Sequence, residues 1–223
     1  MLRLVLHNLA YFLFTLLSRL EVGGLENIPR SGGVILAANH LSRLDSPLVF
    51  SVVERGDITA LVAVKYHRNW LLRPLIEAVH GIWIDRERAD FHALREAREY
   101  LHNGGALGIA PEGTRSRTGA LKEAKTGVAY LAHKAGVPVI PVAIWGTEAA
   151  ISSLFRFHRP EIHVRFGPPF CLAVLAPGDR SAVLQGNTDE IMCRIAALLP
   201  LAYRGVYAIH PRLQELLAAN QAS

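Results

Sequence analysis

Short apolar runs alternate along this chain with longer amphipathic stretches, and glycine, proline or a capping residue marks each switch. That pattern limits the fold to strands interleaved with helices. Val34-Ile35-Leu36-Ala37-Ala38 follows Ser31-Gly32-Gly33 and reads as a buried strand. Asp45-Ser46-Pro47 then opens a helix to about Glu54, with Asp or Ser as its cap and Pro in its first turn. Residues 59–64 and 82–84 read as strands. Residues 89–102 place Phe91, Leu94, Ala97 and Leu101 on one helical face, stopped by Asn103-Gly104-Gly105. A strand over 106–110 precedes a helix over 122–135 that Gly136 caps. Residues 137–145 read as a strand whose Pro138 and Pro141 predict an edge or a bulge. Residues 161–166 alternate cleanly, and helices over 189–199 and 211–219 close the chain. The expectation is an α/β fold: a single domain with a largely parallel or mixed sheet flanked by helices. The 223 residues suit one such domain, and no internal repeat interrupts them.

The first twenty residues follow a different pattern. At about 100° per residue, Arg3, His7, Asn8, Thr15, Ser18 and Arg19 fall within an arc of about 160°. The rest of the circle carries Leu2, Val5, Leu6, Leu9, Phe12, Leu13, Leu16, Leu17 and Leu20. Leu4, Tyr11 and Phe14 intrude on the polar side. An N-terminal amphipathic helix of this kind suits the membrane interface, apolar face down, with Arg3 and Arg19 on a polar rim facing anionic headgroups. Two other readings compete. One is a signal peptide, although no small-residue cleavage site precedes Glu21; the other is a helix packed on its own domain. The chain thus divides into an interface helix at 1–22 and a catalytic domain at 23–223. No run of about 20 uncharged apolar residues calls for a spanning helix. The expected location is the cytoplasmic face of a membrane, as a monotopic or peripheral protein.

Composition agrees with a surface-bound protein. Hydrophobic residues make up 51% of the chain, and its net charge of +5 comes from 24 basic and 19 acidic residues. A basic, greasy chain favours anionic headgroups or nucleic acid. The second reading lacks a basic stripe with interleaved aromatics. Cys171 and Cys193 stand alone, which argues against a disulfide framework and for a reducing compartment.

Two loops carry the chemistry. His40 and Asp45 lie in Asn39-His40-Leu41-Ser42-Arg43-Leu44-Asp45, directly after the first strand. On a straight helix five positions rotate a side chain by about 140° and raise it about 7.5 Å, so the two meet only across a turn. There Asp45 holds one imidazole nitrogen and leaves the other to accept a proton. The competing reading has His40 cap the helix and makes Asp45 merely its N-cap. The second loop, Pro111-Glu112-Gly113-Thr114-Arg115-Ser116, offers a glycine turn with an arginine and two hydroxyls. Lys65, Arg86 and Arg115 all sit at strand ends; each alone reads as a solvated charge, and their shared placement is what suits a phosphate clamp. Glu112 is expected to anchor its loop by pairing with one of the arginines. A base beside an anion-binding loop points to acyl or phosphoryl transfer involving an anionic substrate. No G-x-S-x-G elbow supports a serine hydrolase, and the remaining histidines show no metal-ligand spacing.

Four segments in order carry a resemblance to the glycerolipid acyltransferase family, which includes the lysophosphatidic acid acyltransferases. These are Asn39-His40-x4-Asp45, Gly81-Ile82-Trp83-Ile84-Asp85-Arg86, Glu112-Gly113-Thr114-Arg115-Ser116 and Val137-Pro138-Val139-Ile140-Pro141. Lys65 also matches a family lysine. The resemblance implies direct acyl transfer from a thioester, acyl-CoA or acyl carrier protein, to the sn-2 hydroxyl of 1-acyl-glycerol-3-phosphate, giving phosphatidic acid. The alternative acceptors are glycerol-3-phosphate or a lyso-aminolipid. His40 becomes the general base and Asp45 its orienting carboxylate. Lys65, Arg86, Glu112, Gly113, Thr114 and Arg115 become the substrate-binding set, and the fourth motif borders the acyl donor. No cofactor or metal is implied, because the thioester is a co-substrate. The implied partners are the acyl donor, a lysophospholipid and a membrane surface.

Overall fold

The computed structural model describes residues 1–86, 88, 90–174 and 179–221. Its strands are β1 (Arg19–Gly23), β2 (Val34–Ala38), β3 (Ile58–Ala63), β4 (Ile82–Ile84), β5 (Ala106–Ile109), β6 (Val139–Trp145) and β7 (Glu161–Phe166). They form one sheet in the order β1-β7-β6-β2-β5-β3-β4. Only β6 and β7 pair antiparallel, so the sheet is mixed and largely parallel, as expected. The helices are α1 (Leu2–Leu17), α2 (Asp45–Val52), α3 (Leu72–Ala78), α4 (Phe91–His102), α5 (Gly127–Ala135), α6 (Ala150–Phe155), α7 (Arg180–Leu198) and α8 (Pro211–Gln221).

Right-handed crossovers sort the helices. The steps from β2 to β3 and from β3 to β4 run toward one edge, which puts α2 and α3 on the same face. The steps from β4 to β5 and from β5 to β6 run back, which puts α4 and α5 on the other. Two apolar clusters fill the layers. Leu48, Val49 and Val52 of α2 pack with Val34, Leu36, Ile140 and Val142. Leu101 of α4, Leu131 of α5 and Met192 of α7 pack with Ile35, Leu107 and Val139. Val34, Ile35, Leu36 and Ala37 are fully buried because successive side chains enter opposite layers.

Several elements depart from expectation, each for a local reason. The helix expected over 122–135 starts only at Gly127. The N–H groups of Leu121, Lys122, Ala124 and Lys125 go instead to Tyr203 O, Glu112 Oε2, Tyr207 Oη and Pro111 O. β6 is interior rather than an edge. The ladder to β7 begins at Val142↔Phe166, one residue past Pro141, which has no N–H to give and whose carbonyl accepts Gly167 N at 2.9 Å. The irregularity falls on the partner segment, which spends the steps from Phe166 to Phe170 against those from Val139 to Val142. The helix expected from 189 starts at Arg180, capped by Asp179 accepting Ala182 N. Gly186-Asn187-Thr188 hid it, yet Asn187 bonds both polar groups of Ala173, and Thr188 Oγ1 donates to Leu184 O. The helix expected from 89 is capped by Asp90 and begins at Phe91; Ala89 lies outside the described residues.

α1 docks by its polar edge. Arg3 donates to Ile58 O and Val79 O, and His7 donates to Val53 O at 3.3 Å. Arg3 also sits 5.5 Å from the centroid of the Phe50 ring. The leucine-rich side faces outward, with Leu2, Val5, Leu9, Phe12, Leu13, Leu16 and Leu17 exposed. Arg3 therefore does not face headgroups. Arg19 is not on the helix, which ends at Leu17; it opens β1 and pairs with Glu161 at 3.4 Å. No described helix is long and apolar enough to cross a membrane.

Candidate active site

The C-terminal ends of the parallel strands all point to one side of the sheet, where ligands of such folds sit. β2 leaves the sheet there through Asn39. Its side chain takes Ile144 N and donates to Ile144 O, both at 2.7 Å, so it replaces a strand rung while the backbone turns away. His40 follows, and the turn over 41–44 brings Asp45 back beneath it.

Asp45 is 3% exposed and its carboxylate is fully engaged. Oδ2 accepts from His40 Nδ1 at 2.8 Å, Leu41 N at 2.7 Å and Ser42 N at 2.8 Å. Oδ1 accepts from Thr147 Oγ1 at 2.5 Å. Carboxylate oxygens only accept in such a set, so Nδ1 carries the ring proton and Nε2 holds the lone pair. Nε2 has no hydrogen-bond partner among the described residues. The loop dyad expected from the spacing is therefore present.

The second loop frames the first. Glu112 Oε1 accepts His40 N at 2.9 Å, and Ser116 N donates to His40 O at 2.7 Å. The histidine is thus gripped at both its backbone polar groups. Glu112 is buried and spends Oε2 on Lys122 N, so it anchors the loop through backbone N–H groups and pairs with no arginine among the described residues. Burial pushes its carboxyl above the usual glutamate range, against the pull of those two N–H groups. Gly113 turns the loop at φ +70, where a side chain is strained.

The cations divide. Arg86 is partly buried, donates to Gly113 O at 2.9 Å and Leu61 O at 3.4 Å, and so ties the loop to the end of β3. Desolvation lowers its pKa from the ordinary arginine value. Arg115 is exposed and makes no hydrogen bond or ion pair among the described residues. Thr114 is exposed, and its hydroxyl accepts from Lys122 Nζ. Lys65 is exposed in the 3-10 turn after β3, its Nζ 5.3 Å from the Tyr66 ring centroid. Contacts thus join His40, Asp45, Glu112, Gly113 and Arg86, and none among the described residues links Lys65 to them. Among the described residues no group of three or more His, Cys, Asp or Glu side chains is placed to hold a metal ion.

Thr147 escaped the sequence reading. It follows Gly146, whose φ of +87 and whose close approach to Glu161 O exclude a side chain. Its signal was positional: β6 lies beside β2, so the residues leaving the two strands are neighbours.

The chain is similar to proteins of known family. A probable 1-acyl-sn-glycerol-3-phosphate acyltransferase of Mycoplasma pneumoniae is 27% identical over 143 residues, 61% of this chain and 53% of that protein. The 1-acyl-sn-glycerol-3-phosphate acyltransferase of Limnanthes douglasii is 33% identical over 141 residues, 60% of this chain and 49% of that protein. The matches span about half the length of these relatives. The crystal structure of the 1-acyl-sn-glycerophosphate acyltransferase of Thermotoga maritima gives a TM-score of 0.66 at 28% identity, covering 85% of this chain and 76% of that one. The acyltransferase family model matches residues 19–145, a stretch holding His40, Asp45, Lys65, Arg86 and the 112–116 loop, and the chain belongs to the acyltransferase family.

Proposed function

We propose that the chain transfers a fatty acyl group from a thioester, acyl-CoA or acyl carrier protein, to the sn-2 hydroxyl of 1-acyl-glycerol-3-phosphate. The observation that carries this reading is the 2.8 Å contact of His40 Nδ1 with Asp45, which leaves Nε2 open at the strand ends beside the Arg86-tethered loop. In the proposed reaction Nε2 takes the acceptor hydroxyl proton as that oxygen attacks the thioester carbonyl. The C–S bond breaks, and the leaving thiolate takes the proton back from the imidazolium. No acyl-enzyme forms, because the histidine acts only on protons. Arg86, Arg115 and Lys65 hold the acceptor phosphate.

A lysophospholipid acceptor and its diacyl product both live in a bilayer. The exposed leucine face of α1 supports a monotopic placement, with the polar edge spent on the protein and the apolar face left for lipid. The leaflet proposed is the cytoplasmic one, where both thioester donors are found.

The test is an acceptor screen with purified chain, using lysophosphatidic acid, glycerol-3-phosphate and a lyso-aminolipid against both donor types, with His40→Ala alongside. Lysophosphatidic acid is expected to be the preferred acceptor, and His40→Ala is expected to lose about 10²–10⁴-fold in kcat. Near-normal turnover by His40→Ala overturns the mechanism, and preference for another acceptor overturns the substrate.

A further inference from the structure

The connection from β6 to β7 carries an unusual surface. Ala150 of α6 is buried in the apolar cluster that Phe14 of α1 also joins, so α6 sits on the α1 side of the sheet. Arg159 locks the two together, donating from Nη2 to Thr15 O at 2.8 Å and Ser18 O at 2.7 Å. Around this clasp the side chains point the wrong way for a solvated loop. Phe155 is 82% exposed and Phe157 is 99% exposed, with Ile151 exposed beside them.

Phe157 also occupies a costly backbone state. α6 ends with His158 N on Ser153 O and Phe157 N on Leu154 O, the pairing of a helix stop in which the residue at Phe157 turns left-handed. Glycine is the usual occupant of that position; here a phenylalanine adopts φ +59. A strained backbone that displays an aromatic ring to water serves neither stability nor solubility.

Charge identifies what the ring meets. Residues 149–160 contain Arg156 and Arg159 and no carboxylate, with Glu148 and Glu161 at their two borders and Glu161 paired with Arg19. The exposed rings, the leucine face of α1 and the basic side chains of this connection together suit an anionic bilayer.

From this we infer that the β6–β7 connection is a second bilayer contact, inserting Phe155 and Phe157 among lipid chains beside α1. The inference rests on the proposed reading only in that the enzyme meets its acceptor at a membrane. It adds a consequence: Thr147, which holds Asp45, is two residues upstream of Ala149, so this contact fixes the catalytic end of the sheet against the lipid surface.

The experiment is flotation of the full chain with vesicles of phosphatidylglycerol and phosphatidylethanolamine, comparing Phe155→Ser/Phe157→Gly with Leu9→Glu/Leu13→Glu. Partial insertion of each ring is worth about ten-fold in partitioning, so the phenylalanine pair is expected to bind roughly 100-fold more weakly. Its transfer activity on detergent-dispersed acceptor stays at the parent level. Phe157→Gly alone keeps the Tm at or above the parent value, because glycine relieves the strain, whereas a ring needed for packing would lower it. Unchanged flotation of the phenylalanine pair overturns the inference. So does unchanged flotation with a selective loss of carrier-protein-dependent activity, which assigns the rings to the donor protein instead. Weakened flotation of the phenylalanine pair with unchanged flotation of the leucine pair sustains this contact and removes the one proposed for α1.

Discussion

Replacing Thr147 by valine tests how much of the proposed catalysis depends on holding Asp45 still. Valine has nearly the same shape, so the 1% exposed site keeps its packing and loses only a hydroxyl. The lost bond, 2.5 Å from Oγ1 to Asp45 Oδ1, is the only hydrogen bond to that oxygen among the described residues. A hydrogen bond to a charged partner is worth about 1.5–3 kcal/mol, and the oxygen left behind cannot reach water. Oδ2 keeps His40 Nδ1, Leu41 N and Ser42 N, so the imidazole tautomer survives. What is lost is the restraint on rotation of the carboxylate, and with it the aim of Nε2. If most of the bond energy bears on the transition state, kcat falls about 10- to 100-fold. That is less than the loss expected for His40→Ala. The KM values for acceptor and donor stay put, because Thr147 is proposed to touch neither. Thr147→Ser restores the donor and most of kcat. The assay is steady-state transfer of labelled acyl groups in detergent, with thermal unfolding as the control. Full turnover by the valine variant, or failure of serine to rescue it, refutes the idea that Asp45 must be held from both oxygens.

Arg115→Ala removes a charge-assisted contact of about 1.5–3 kcal/mol, so the acceptor KM rises about ten- to a hundred-fold while the donor KM barely moves; equal effects on both place Arg115 elsewhere. Glu112→Ala strands the N–H groups of His40 and Lys122 and costs about 1–3 kcal/mol for each in denaturant unfolding. Burial raises the Glu112 pKa above its unfolded value, so this group favours folding below the ordinary glutamate range and loses that contribution as pH rises through the folded value; Glu112→Gln abolishes that slope. Asp57 has the opposite sign: hydrogen bonds from Arg55 hold its pKa down, so its contribution is present above the ordinary aspartate range and is lost as pH falls through the folded value. Arg55→Met removes that acid-side slope and also frees Pro29 O, Gly32 O and Gly104 O, lowering Tm at neutral pH.

The layers of the fold were legible because they follow from periodicity. The buried run 34–38, the alternating run 161–166 and the Gly136 stop each state their own conformation. The elements that were misread are those whose backbone bonds lead far away in sequence. Residues 121–125 carry helical spacing, yet their N–H groups are claimed by Pro111, Glu112, Tyr203 and Tyr207. β1 was hidden inside the amphipathic pattern because Arg19 and Leu20 continue the helical arc, while pairing with β7 is visible only in three dimensions. The site divides in the same way. His40 and Asp45 are close in sequence and a turn suffices to join them. Glu112 and Thr147 reach that turn from 72 and 102 positions away. The pairing of Glu112 with an arginine was the natural guess from charge, but a buried carboxylate here is met by backbone N–H groups.

The orientation of α1 bears on all of this. Amphipathic patterning ordinarily tells which side of a helix is inside, and here much of the leucine face lies outside while an edge with Arg3, His7 and Phe14 lies inside. That edge is inside because it finds partners there: open carbonyls at Ile58, Val79 and Val53 for Arg3 and His7, and Arg159 for the carbonyls of Thr15 and Ser18. The apolar side is left with no such partner. A helix docked this way spends directional bonds on position and leaves its non-directional hydrophobic free energy for another phase. Position and the proposed membrane affinity are then carried by different residues and can be altered separately. Arg3→Ala is expected to loosen the helix and lower Tm. Leu9→Glu with Leu13→Glu is expected to leave Tm unchanged and abolish the affinity for lipid. If instead the leucine substitutions unfold the protein, the outward face is buried in the folded state and this orientation is wrong.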